Sequence, residues 1–354
     1  MTIQLKPVSE QTIVITGGSS GNGLATAKAA AKRGARLVLV ARNGDELRRI
    51  ADELGAEKVL PCAADVSRPE DVERIAQAAI ERFGGFDTWV NNAAAATYGR
   101  MEELTLEDHR RIMDVNYHGV VSGSLVAARH LKDRGGGAII NVGSVLSDRA
   151  MIYQGPYSAS KAAVQAATDA LRMELERDAA PISVTLIKPA SIDTPYPQHA
   201  RNYMDEPPRL PPPLYDPALV ADAILFACEN PRRHLFIGGG GYLISLAGRV
   251  APRLTDVAME MFGVGAQQKS GDGGDERKRD NLHEPRADGD VHGDQDVFVR
   301  RTSVLLEAQK QPLAVPFAAA TALLGLAGLL AGTRNHRHFR NVERDSRQRT
   351  HPEL

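Results

Sequence analysis

The stretch Thr16-Gly17-Gly18-Ser19-Ser20-Gly21-Asn22-Gly23 follows a β-branched run, Thr12–Thr16, and opens a segment of helical periodicity that reaches about Arg33. Glycine at these positions lets a chain turn sharply from strand into helix and approach a pyrophosphate closely. The free N–H groups and dipole at the helix N-terminus then favour the negative charge. Outward from this turn, short apolar runs at Arg36–Ala41, Lys58–Pro61, Thr88–Asn91, Ala138–Val142 and Ser183–Ile187 alternate with amphipathic stretches. Strands separated by helices imply βαβ crossovers, so the expected fold class is α/β, a doubly wound parallel sheet covered on both faces.

Composition sets the frame. Of 354 residues, 43% are hydrophobic and 25% charged, which suffices to bury the core of one domain of about 250 residues and leaves a remainder. A formal net charge of −1, with no basic cluster in residues 1–260, gives no electrostatic footprint for nucleic acid. The two cysteines, Cys62 and Cys228, sit in apolar settings. They offer neither a disulfide framework nor a zinc spacing, and a reducing compartment is expected. His109, His118, His130 and His199 show no ligand spacing with one another, and no metal is expected. Met1–Gln11 lacks an apolar core and a small-residue cleavage site, so the catalytic domain is expected in the cytoplasm.

Catalytic chemistry is suggested by Ser144, Tyr157 and Lys161. Tyr157 and Lys161 stand four residues apart at the start of a helix-period segment, which puts them on one face. An ammonium close to a phenol stabilises the phenolate and lowers its usual pKa of about 10 towards neutrality, as a general acid/base for a carbonyl or alcohol requires. Ser144 follows the strand Ala138–Val142. The carboxyl ends of parallel strands are where open α/β sheets bind ligands, and a hydroxyl there can donate to a developing oxyanion.

With the glycine turn spaced T-G-x-x-x-G-x-G, a strand-end serine and Y-x-x-x-K in this order, residues from about Thr12 to Ile237 resemble the short-chain dehydrogenase/reductases, enzymes with a single Rossmann-type catalytic domain. The resemblance implies an oxidoreductase acting on CH–OH or C=O groups. In it Gly17, Ser19, Ser20, Gly21 and Gly23 form the cofactor loop. Asp65-Val66 lies beside the adenine, Asn91 and Asn92 support the sheet and line the adenosine side, and Ile192 and Thr194 meet the nicotinamide amide. Asn116 completes a catalytic tetrad with Ser144, Tyr157 and Lys161 and holds a relay water, while Tyr157 and Lys161 also touch the cofactor. Three positions depart from the family pattern: Asn22 replaces isoleucine, and Ala94 and Ala190 stand where glycine is common. They bear on loop geometry and remove no proton-transfer group.

Two finer expectations concern cofactor and substrate. Val38-Leu39-Val40-Ala41-Arg42 places alanine where an acid would bond the ribose hydroxyls and adds an arginine that fits a 2′-phosphate bidentately. NADP(H) is therefore the expected cofactor, with NAD linkage as the alternative. Pro195–Pro217, the region of the family's substrate lid, carries seven prolines counted up to Pro213, with Tyr196, Tyr203, Met204 and Tyr215. It points to an apolar ketone, aldehyde or secondary alcohol. A non-catalytic NADP(H) sensor on the same fold would be expected to lack Tyr157 or Lys161.

The C-terminal third divides by composition. The catalytic domain is expected over 1–265, with one or two helices in Tyr242–Phe262 broken near Pro252. Residues 266–312 are polar and read as a disordered linker, since Gln267–Asp296 holds only Leu282, Ala287 and Val291 as apolar side chains. Leu313–Gly332 carries no charge over about the length of a bilayer core, so membrane association, by a single span or an interfacial helix, is expected of it. A basic polar tail, 333–354, follows. Its arginines favour a helix in the interface over a span, because a span would export them. A homo-oligomer is also expected.

Overall fold

The computed structural model describes residues 3–269, 280–286 and 289–311. The elements begin β1 (Thr12–Thr16), α1 (Gly21–Lys32), β2 (Arg36–Ala41), α2 (Gly44–Leu54), β3 (Val59–Ala63), α3 (Pro69–Phe83), β4 (Thr88–Asn91) and β5 (Thr97–Tyr98). There follow α4 (Leu106–Met113), α5 (Gly119–Arg134), β6 (Gly137–Val142), α6 (Gly155–Arg177), β7 (Ile182–Pro189), α7 (Tyr196–His199), β8 (Arg201–Asn202) and β9 (Leu214–Tyr215). The last are α8 (Pro217–Glu229), β10 (His234–Ile237), α9 (Gly239–Val250), α10 (Pro252–Ala258), α11 (Val264–Gln267), β11 (Val299–Arg300) and α12 (Val304–Lys310).

Seven strands form one sheet in the order β10-β7-β6-β4-β1-β2-β3, all pairings parallel. This is the Rossmann-type α/β sheet expected. Along β1, Ile13 and Ile15 enter the core cluster that holds Leu24, Ala27 and Leu47, whereas Val14 enters the cluster that holds Val72, Ile75 and Leu131. The period of two therefore survives as a choice of face although both faces are apolar, because helices cover each. Each such fully buried side chain contributes about 1.5–3 kcal/mol of transfer free energy. Strand β10 is not anticipated by periodicity, since four residues beginning with histidine are too few to show a period.

The chain order reverses between β1 and β4, and this switch point is where open α/β sheets take ligands. Gly17 follows β1, Arg42 follows β2, Asp65 lies just past β3, Asn92 follows β4 and Ser144 lies just past β6, so the residues singled out by motif gather at one edge. The extension expected over Tyr242–Phe262 is α9 and α10, interrupted at Ala251 before Pro252. Cys62 and Cys228 are buried free thiols, and burial raises both pKa values, that of Cys228 to about 12.

The span 266–312 departs from the disordered linker expected of it wherever it is described. Leu282 is 1% exposed, β11 pairs with β9 in parallel, and Leu306 is buried in the core with Ile13 and Ile224. Counting apolar side chains misses the cause. The carbonyls of Asn281, Leu282 and His283 are taken up by the guanidinium groups of Arg42 and Arg111, so this stretch needs few apolar side chains to stay packed. Contacts divide the chain into Met1–Leu306 and Glu307–Leu354; of the second, residues 307–311 are described, and 307–310 complete α12. Among the described residues no helix is long and apolar enough to cross a membrane. The apolar block Leu313–Gly332 and the tail 333–354 lie outside the described residues.

Candidate active site

The glycine turn is clipped to the end of β4. Thr16 Oγ1 accepts from the N–H of Asn92 at 2.9 Å and of Ala93 at 3.1 Å, and Asn92 Nδ2 donates to the carbonyls of Thr16 at 2.9 Å and Gly17 at 3.2 Å. Gly23 packs so closely under the turn that a Cβ would lie 1.9 Å from the Gly17 carbonyl oxygen, so a side chain there would force the loop open. Above it, Gly17, Ser19, Ser20 and Gly21 line a groove that continues past Asn92 and Thr194 to Arg42, Asp65 and Val66. A glycine turn at a helix N-terminus, with a cation at the far end, suits a dinucleotide.

Three of the residues expected to hold the cofactor, Asn91, Gly23 and Ile192, do not line this groove. The Asn91 side chain accepts from Trp89 Nε1 at 2.8 Å and donates to Ser124 Oγ at 3.0 Å and Asn141 Oδ1 at 2.8 Å. It ties β4 to β6 and α5 inside the core and is not among the groove's lining residues. Gly23 supports the loop from beneath, and Ile192 lines the neighbouring cavity. Asp65 receives Arg111 Nη2 at 2.7 Å, Ser67 N–H at 3.0 Å and Ser67 Oγ at 2.7 Å. Burial resists its ionisation, yet these bonds outweigh burial and hold the carboxyl below its usual range. Arg111, which carried no motif, is thus a groove residue that sequence gave no signal for.

The second cavity joins the first at Asn22, Asn92, Ala94, Thr194 and Tyr196 and holds Ser144, Tyr157 and Lys161 among apolar neighbours that include Val145, Leu146, Ile244 and Met259. Ser144 caps the short turn Val145–Ser147, accepting from Leu146 N–H at 3.0 Å, and is hydrogen-bonded to Tyr157. Tyr157 sits one turn before Lys161 on α6, as the spacing requires. Lys161 Nζ lies 5.6 Å from the centroid of the Tyr157 ring and donates to the Val142 carbonyl at 2.8 Å. The expected lowering of the Tyr157 pKa is not what this geometry gives. Burial raises the phenol to about 12, the Ser144 bond opposing it, and burial lowers Lys161 to about 8. Both groups are thereby biased towards their neutral forms.

Asn116 stands in a one-turn π-helix, Asp114–His118, between α4 and α5, a local widening common at functional sites. It is fully buried. Oδ1 accepts from Ala95 N–H at 2.7 Å, and Nδ2 donates to the Ala95 carbonyl and to Ser160 Oγ, each at 2.9 Å. These bonds join the strand-end loop to the helix that carries Tyr157 and Lys161.

With this geometry in place, comparison with known proteins gives one answer. A sequence profile described as short chain dehydrogenase matches residues 11–204. The chain is a short-chain dehydrogenase. An uncharacterised oxidoreductase of Bacillus subtilis is 42% identical over 315 residues, covering 88% of each chain. Among solved structures, this dehydrogenase is similar to a 3-ketoacyl-(acyl-carrier-protein) reductase of Brucella melitensis complexed with NADH. There the TM-score is 0.58 at 30% identity, over 66% of this chain and 99% of the other. It is also similar to an L-sorbose reductase of Gluconobacter frateurii complexed with NADPH and L-sorbose, with a TM-score of 0.57 at 28% identity, over 68% and 98%. The dehydrogenase is an oxidoreductase with a nucleotide-binding Rossmann domain, acting on small molecules.

Several residues of the site carried no motif. Tyr196 packs edge-on against Tyr157, ring centroids 5.4 Å apart, and donates to Gln154 Oε1 at 2.9 Å. Lys188 and Asp148 form an ion pair with both side chains 1% exposed. Gln165 Oε1 accepts from Lys188 Nζ at 2.7 Å, and Arg249 also reaches Asp148. Asp148 ends the turn that Ser144 caps, so the pair anchors the Ser144 loop to β7.

Proposed function

We propose that this dehydrogenase exchanges a hydride between NADP(H) and an apolar ketone, aldehyde or secondary alcohol. The observation that supports the reading is the meeting of Ser144, Tyr157 and Lys161 in an apolar cavity contiguous with the groove that ends at Arg42. Ser144 donates to the substrate oxygen and holds it beside Tyr157, and Tyr157 gives that oxygen its proton in reduction or takes it in oxidation. Lys161, buried and close to the phenol, replenishes the proton and orients the nicotinamide ribose. When bound, the nicotinamide supplies or accepts the hydride, and the protein contributes orientation and proton transfer. Ala94, Val145, Leu146, Ile192, Ile244 and Met259 around the catalytic groups favour an apolar substrate by desolvation. Incubating the purified chain with NADPH and a panel of carbonyls is expected to consume the nicotinamide absorbance fastest with apolar ketones. Consumption with none of them would remove the catalytic reading.

Cofactor choice rests on Arg42, placed after β2 beside Asn43 with no acid at position 41. A charge-assisted contact to a 2′-phosphate is worth about 1.5–3 kcal/mol, so Arg42→Ala is expected to weaken NADPH binding by roughly 10–100-fold and to leave NADH nearly unchanged. Equal Kd values for the two cofactors in the wild type would reject the preference. The Arg42 donors meet the carbonyls of Asn281, Leu282 and His283, contacts that a 2′-phosphate would replace.

A further inference from the structure

The stretches 280–286 and 289–295 cross the nucleotide groove, and their contacts fall on its functional groups in order. At the Arg42 end, Nη1 donates to the His283 carbonyl at 2.8 Å and the Leu282 carbonyl at 3.3 Å, and Nη2 donates to the Asn281 carbonyl. Arg111 Nε adds a bond to the Leu282 carbonyl at 3.0 Å. Between these polar contacts the Leu282 side chain is buried with Ala95, Ile112 and Val115, against Val66. At the glycine turn, the N–H of Gly21, first residue of α1, donates to the Asp290 carbonyl at 2.8 Å.

Each of these partners is chemically a substitute for part of a dinucleotide. Carbonyl oxygens carry partial negative charge and take a guanidinium and a helix-terminal N–H, the donors a phosphate seeks. Leu282 fills the apolar site beside Asp65-Val66, where a flat aromatic base would otherwise be desolvated. A carbonyl and a phosphate oxygen cannot accept from one N–H along the same direction, and Leu282 and a base cannot share one apolar site. We propose that residues 280–286 and 289–295 act as an intrachain competitor of the dinucleotide, which binds by displacing them. The proposal rests on the groove's being the dinucleotide site and is independent of the preference for a 2′-phosphate.

The same stretches also hold the substrate side. Asn281 N–H donates to the His199 carbonyl at 2.9 Å, Arg286 Nη1 to the Gln198 carbonyl at 2.8 Å, and His292 Nδ1 lies 3.0 Å from Asp193 Oδ2. Displacement at the groove therefore releases α7 and the segment before it, so cofactor binding loosens the wall of the substrate cavity that Tyr196 forms.

The test uses the full chain. Leu282→Ser removes the apolar anchor without adding charge. Gly293→Val places a Cβ where even an ideal one would lie 2.7 Å from the Thr194 carbonyl oxygen, so the segment must move. Kd is measured for NADPH and NADH by nicotinamide fluorescence on the wild type and both variants. The wild type is digested lightly with and without NADPH, and cleavage within 280–295 is read by mass spectrometry, which needs no variant to fold. If the segment covers the groove about 90% of the time, both cofactors should bind roughly tenfold tighter to the variants, and NADPH should raise cleavage. Protection of the segment by NADPH, or unchanged or weaker binding by a folded variant, overturns the proposal. Tighter binding of both cofactors with equal wild-type Kd values supports the competitor while removing the NADP preference, so the two readings fail separately.

Discussion

Tyr157→Phe is expected to lower kcat by a factor of about 10²–10⁴ while leaving the Kd of the nicotinamide cofactor nearly unchanged. The factor is that of a general acid/base lost from its site, about 3–5 kcal/mol of transition-state stabilisation. Phenylalanine preserves what the ring does structurally, which is to pack edge-on to Tyr196 at 5.4 Å and to face Lys161 at 5.6 Å. It deletes only the hydroxyl hydrogen-bonded to Ser144. Burial biases the phenol towards its protonated form, so in the reduction direction the proton to be donated is already in place. Stopped-flow turnover and cofactor titration on the same preparation separate the two quantities. A variant that keeps wild-type kcat on a substrate the parent accepts would show that the proton comes from elsewhere.

Lys188→Met is expected to destabilise the fold by about 3–5 kcal/mol, the usual consequence of stranding one member of a buried ion pair. Asp148 and Lys188 are each 1% exposed, and methionine would leave the Asp148 carboxylate with Arg249, whose side chain is 62% exposed, as its remaining ion-pair partner. For a domain of this size the fall in Tm is roughly 6–20 °C. Replacing both residues, Lys188→Met with Asp148→Asn, should recover much of the loss because no unpaired charge remains buried. Calorimetry on the single and double variants measures the coupling. If Lys188→Met melts with the wild type, the pair does not anchor the turn that Ser144 caps.

The sheet was largely legible because its strands are short apolar runs bracketed by glycine turns and helical periods, as at Thr12–Thr16 and Arg36–Ala41. The meeting of Ser144, Tyr157 and Lys161 was legible because two of them stand one helical turn apart and the third lies just past a strand end. Partners fixed only by tertiary packing were not legible. Arg111 meets Asp65 across 46 positions and Lys188 meets Asp148 across 40, and neither separation leaves a local pattern. Asn91 supports the sheet as expected but does not line the groove, for the reverse reason. It adjoins Asn92 in a recognisable motif, yet successive residues on a strand point to opposite sides, so only one of them could face the groove. Composition weighs the polar segment after Gln267 by what its own side chains can bury, whereas residues 280–283 are held by donors supplied by Arg42, Arg111 and Arg201.

Leu306 shares its core cluster with Val8, Ile13 and Leu24. A nascent chain therefore emerges from the ribosome with the first strand made and the residue that completes its packing still nearly three hundred positions away. Until synthesis reaches it, the apolar site that will receive it stays open to water and to other chains, the condition under which chaperones engage a growing polypeptide. Translation that stops short of this helix leaves the glycine turn and the helix of Tyr157 and Lys161 encoded while one member of the hydrophobic core, Leu306, is still missing.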